Sequence, residues 1–161
     1  MRKSLPLRDP QKGVMLIEAL IAILIFSIGI LAVVGMQSVA IKNVTESRSR
    51  SEAAFLASEL LAQMWIDQNI SAAGANTSNV TVANYDYQGT GSVPARLAGW
   101  IARVNGKLPG STQAGVKPKV TITNAGTSGA TVSIQLFWQQ PEEASLGVPP
   151  HTYVVVASIQ V

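Results

Sequence analysis

Few residues in this 161-residue chain have the chemistry to act on another molecule. The single histidine, His151, stands in PPHTY, just ahead of a β-branched run. A base or a metal centre needs histidine and acids at ligand spacing, and no such cluster surrounds it. His151 therefore reads as a turn residue. Asp86, Glu142 and Glu143 are acids available for a carboxylate pair, yet nothing in their placement indicates one. The GTGS stretch is a loop, because no glycine-rich phosphate cradle leads from a strand into a helix. Cysteine is absent, which removes disulfides, thiolate nucleophiles and cysteine metal sites. The sequence thus offers no catalytic residue, no metal ligand set and no cofactor site, and an enzyme is not expected.

One acid is oddly placed. Glu18 is the only charged residue from Val14 to Met36, in the stretch GVMLIEALIAILIFSIGILAVVGM. A carboxylate set in hydrocarbon costs several kcal/mol on insertion scales and calls for a positive partner.

The element that must hold Glu18 is a helix. At ~1.5 Å per residue, Val14–Met36 would be about 35 Å long, enough to cross a hydrocarbon core of ~30 Å. A soluble helix of that length normally carries a polar stripe, and here there is almost none. Arg2, Lys3, Arg8 and Lys12 precede the apolar run, opposed only by Asp9, while Val14 onward has eight basic and eight acidic residues. The formal charge of +3 is therefore a property of the leader. By the positive-inside rule, the leader stays in the cytoplasm and the rest lies across the membrane. The neutral body carries no basic stripe, so no nucleic acid is expected as a partner.

The apolar run exceeds the ~7–15 residues of a secretory signal, and no Ala-x-Ala site with a polar approach follows it. Composition alone points to an uncleaved signal-anchor. The junction is more specific: Lys12-Gly13 directly precedes the apolar run, and Glu18 is the fifth residue after Gly13. This junction resembles the class III leader of type IV pilins. From Gly13 to Asp67 the sequence is also similar to minor pilins of the PilV family, which act in pilus assembly or modification.

The resemblance implies cleavage after Gly13 by the prepilin peptidase and N-methylation of Val14. The valine departs from the phenylalanine usual at that position. Glu18 would then neutralise the Val14 amine of a neighbouring subunit and set axial register. The implied partners are other minor pilins, the major pilin and the inner-membrane pilus assembly machinery. The implied location is the bacterial inner membrane, single pass, with a periplasmic head incorporated into the pilus. A minor pseudopilin of a type II secretion system and a signal-anchored periplasmic binding protein are the alternatives.

The remaining elements support that organisation. Ala53, Leu56, Ala57, Leu60, Leu61 and Met64 recur at spacings of three and four, and no proline lies between Pro10 and Pro94. One helix from about Met15 to Ile70 is therefore predicted, with Trp65 as a packing residue. Gly29 and Gly35 are six apart and do not form the GxxxG pairing motif. A short strand is predicted over Val80–Tyr87 and a helix from Pro94 to about Lys107, its apolar face Leu97, Trp100, Ile101, Val104 and Leu108. Three strands follow, in PKVTITNA, ATVSIQLFW and HTYVVVASIQV, the first two joined as a hairpin across GTSG. QQPEEASLGVPP reads as an exposed connecting loop. The expected fold is α+β and pilin-like, with a long N-terminal helix on a small antiparallel sheet. Its expected parts are a leader (1–13), a membrane half-helix (14–36), an amphipathic half-helix (37–72) and a globular head (73–161).

Overall fold

The computed structural model describes residues 14–71, 82–126 and 129–159. Gly13 and the first residues of the predicted Val80–Tyr87 strand lie outside them. Helix α1 runs over Val14–Ser71, close to the predicted limits. Proline is absent throughout it, and no long β-branched stretch opposes helix formation. The chain divides into two compact units, one up to Thr45 and the other from Glu46 onward.

In the second unit, α1 turns a stripe inward. Ala53, Leu56, Ala57, Leu60 and Met64 are buried, and Leu61 packs at the border. Trp65 differs from expectation and is 42 % exposed. Met64 already occupies the stripe, and the next residue lies ~100° further round the helix.

After Tyr87, helix α2 spans Ala95–Lys107 and buries Leu97, Trp100, Ile101 and Val104. Pro94 sits in an extended conformation at its start. The Trp100 indole Nε1–H donates to the Leu56 carbonyl at 2.8 Å, fixing the depth of α2 against α1. Three ion pairs flank this contact: Lys107 with Glu52 (3.8 Å), Arg103 with Glu59 (2.9 Å) and Arg96 with Asp67. Numbers rise along α1 as they fall along α2, so the helices are antiparallel. The basic residues of α2 thus meet acids of α1.

Strands β1 (Lys119–Gly126), β2 (Gly129–Trp138) and β3 (His151–Ile159) form one antiparallel sheet in the order β1-β2-β3. Along β2, Ala130, Val132, Ile134, Leu136 and Trp138 are all buried, the alternation expected of a sheet with one covered face. They join the α1 and α2 residues in a single apolar cluster. Full burial of each large side chain stabilises by about 1.5–3 kcal/mol. The molecule is α+β, with one long N-terminal helix packed against a three-stranded antiparallel sheet.

Two expectations are corrected. Of the described part of Val80–Tyr87, only Tyr87 pairs, through a bridge to Val120. The preceding residues turn instead, with Tyr85 N–H donating to Val82 O and Asp86 N–H to Ala83 O. That turn drives the Tyr85 ring into the core, where it is fully buried. The supposed loop after β2 also contains a short helix, α3 (Pro141–Ser145). Its first turn is closed by the Gln140 backbone N–H donating to Glu143 Oε2 at 3.0 Å.

Gly110 is required by its surroundings. Its φ is +73°, and a Cβ there would stand 2.7 Å from the Gln139 carbonyl oxygen. The neighbouring Gln139 N–H donates to Pro109 O at 3.0 Å, so two connections lie backbone to backbone.

Candidate functional site

In the first unit, the predicted assembly residues lie on α1. Val14 is its first residue and Glu18 stands four positions on, so the two share a helix face. Both are exposed. Glu18 has no hydrogen-bond or ion-pair partner among the described residues. Large aliphatics surround it, with Ile17 62 % and Leu24 61 % exposed. The helix is long and apolar enough to cross a membrane, by length and composition.

Two hydroxyl side chains beyond Glu18 bond back to the helix. Ser27 Oγ donates to Ile23 O at 2.7 Å and Thr45 Oγ1 to Ile41 O at 3.0 Å. Such back-bonding suits a setting without water. A Cβ added at Gly29 or Gly35 would meet nothing within 4 Å. No packing within the chain requires either glycine.

In the second unit, polar residues gather in two places. The first is Asp67, which accepts from both the Tyr85 hydroxyl and the Arg96 guanidinium. Burial, reinforced by the hydrogen bond to the Asp67 carboxylate and its charge, pushes the Tyr85 hydroxyl up to about 12. The Arg96 guanidinium is raised as well, chiefly by its bond to Asp67. The trio joins the distal part of α1, the turn before Tyr87 and the start of α2.

The second is a clasp on His151. Sheet register sets His151 opposite Trp138, and the two rings stack with centroids 5.7 Å apart. Nδ1 faces Glu46 Oε1 at 3.0 Å and Nε2 faces Glu143 Oε1 at 3.1 Å. His151 is therefore a strand residue with partners, where the sequence suggested a turn residue. A neutral imidazole has one N–H and serves one carboxylate, whereas the imidazolium serves both. The buried Trp138 Nε1 has no hydrogen-bond partner among the described residues.

Ligating atoms of Glu46, Glu143 and His151 lie within 4.8 Å of one another. Each carboxylate contacts a different ring nitrogen. Glu143 is also held through its other oxygen by the Gln140 N–H. The structure thus brings together a His–carboxylate group that the sequence did not indicate, and it serves as a hydrogen-bonded clasp between α1, α3 and β3. Two of the acids considered for a carboxylate pair have separate partners. Asp86 accepts from the Ile122 N–H and the Gln88 amide, while Glu143 engages His151 and Gln140.

The clasp was legible only in part. Alternation places Trp138 and His151 on the same sheet face, and hairpin register then sets them opposite each other. Glu46 lies over a hundred residues away on α1. No local pattern links it to His151.

No protein-family model, curated protein or solved structure matches this chain. The architecture itself, a long apolar-to-amphipathic helix with a small sheet, is compatible with a type IV pilin-like design. It is consistent with a small membrane-anchored structural subunit.

Proposed function

We propose that the chain is a minor pilin, a structural subunit or assembly and initiation factor of the type IV pilus. It is cut after Gly13, methylated on the new Val14 amine, and held in the inner membrane with its head in the periplasm until it enters the filament. The observation that carries this reading is Glu18, one turn into a helix whose apolar first stretch has no other charge before Lys42 and which continues into an α+β head. An acid there is unfavourable in lipid alone. It becomes useful when the Val14 amine of an adjacent subunit meets it, because a polar pair in an apolar seam fixes register. Other minor pilins, the major pilin and the assembly machinery are the partners this reading names.

Two measurements test it. Intact mass of the membrane form should give a mature start at Val14 with one added methyl group; a start at Met1 with active peptidase present would mark an ordinary signal-anchor. Glu18→Gln should keep its membrane level and vanish from sheared pili. Normal incorporation of that variant would remove the register role. Recovery in a secretion pseudopilus instead of the pilus would move the protein to that system.

A further inference from the structure

The two edges of the sheet are treated differently. The β1 edge is closed off. Tyr87 exchanges both backbone hydrogen bonds with Val120, at 2.8 and 2.7 Å. Asp86 Oδ1 accepts the Ile122 N–H at 3.3 Å. The pairing register shifts between Thr123 and Gly126, and Pro118 and Lys119 stand at the strand's start. Bulges, prolines, lysines and covering segments are the devices that keep an edge from pairing with another chain.

Pro149 and Pro150 stand before the start of β3, but along His151–Ile159 the edge carries no bulge, no lysine and, among the described residues, no covering segment. Among the described residues no segment pairs along its far side. Its register with β2 is unbroken from His151 to Ile159. From Thr152 to Ile159 there is no charge and no proline. On the outer face, Val154 is 50 % and Val156 is 63 % exposed.

The strand is also complementary to itself. Laid antiparallel on a second copy about a two-fold axis at Val155, Val154 falls opposite Val156 and Thr152 opposite Ser158. On the inner face, the large Tyr153 falls opposite the small Ala157. Paired β-branched residues and Thr–Ser pairs are favourable cross-strand neighbours, and no like charges meet.

We propose that β3 pairs with β3 of a second copy of this chain, joining two three-stranded sheets into one of six. The closed β1 edge limits the assembly to two. This inference rests on the head alone and stands or falls independently of Val14 cleavage and of the Glu18 role.

Because the chain has no cysteine, engineered disulfides report the register directly. Purified full-length protein in detergent is used, oxidised mildly. In the proposed pairing, Thr152 of one copy neighbours Ser158 of the other, whereas like positions lie about 20 Å apart. A mixture of T152C and S158C chains should give a disulfide-linked dimer, and neither variant alone should. No linkage in the mixture, or equal linkage in the single variants, overturns the proposal.

Sedimentation supplies a second readout. The double variant V154K/V156K places lysines opposite lysines twice across the interface. It should weaken dimerisation about tenfold or more without loss of folded head. A dimer constant equal to that of the parent chain overturns the proposal, because association would then come from elsewhere.

Discussion

The two stretches of α1 follow opposite rules. Up to Thr45 the helix exposes aliphatics on every side and carries one acid near its start. From Glu46 onward it is sided: a narrow stripe of Ala53, Leu56, Ala57, Leu60 and Met64 is buried, and the acids beside it engage α2 or His151. Burial of a stripe specifies one packed partner within the chain, whereas aliphatics all round specify only an apolar surrounding. Fold stability therefore resides in the second stretch. The first is left to meet other molecules.

The sharpest way to break this contrast is to truncate a side chain in each stretch. Trp100→Ala removes a core ring and its bond to the Leu56 carbonyl, and should destabilise the head by about 3–5 kcal/mol. Leu24→Ala should leave the head's thermal midpoint unchanged. Both are read by near-ultraviolet circular dichroism in detergent. Equal losses would mean that the first stretch also contributes to the head's fold.

Alkaline titration tests how the second stretch holds its polar groups. Burial and the neighbouring Asp67 carboxylate push the Tyr85 hydroxyl from its ordinary 10.0 up to about 12 in the folded head. Between these values the unfolded chain gives up the proton and the folded one keeps it, so stability falls as pH rises from about 10 to 12. At ~1.4 kcal/mol per pKa unit, the loss is roughly 2–3 kcal/mol. Tyr85→Phe should abolish that part of the pH dependence in denaturant melts.

His151→Ala should cost about 1–2 kcal/mol through the lost ring stack and the two carboxylate contacts. Amide exchange at Gln140–Val148 should rise with it, since Glu143 would lose its tie to the strand. The smallest effect belongs to Lys107→Ala. Its pair with Glu52 is long and exposed, so the change should stay below about 0.5 kcal/mol and shrink further in salt. A larger effect would give the ion-pair ladder a stabilising role beyond helix register.

Much of this arrangement was legible in the sequence because it is written in local periods. The α1 stripe, the buried face of α2 and the alternation of β2 were visible at spacings of three, four and two. The misreadings arose where tertiary competition decides. The sequence places Tyr85 in a short strand, but a turn satisfies the backbone and lets the ring reach both the core and Asp67. Trp65, expected to pack near the end of the helix, is partly exposed because Met64 holds the buried position beside it. His151 looked solitary because its partners come from α1 and α3. Gly13, Val14 and Glu18 are a separate case: they stand out by spacing and composition, while the role proposed for them rests on contacts between molecules.

Gly110 carries a lesson for variation at this fold. The Gln139 carbonyl occupies the space where any other residue's first side-chain carbon would go. A saturation library selected for a folded head should return glycine alone at that codon, while Gly29 and Gly35 accept alanine freely. Such a pattern would mark the crossing of two connections as a fixed seam, inherited unchanged however far the surrounding surface drifts.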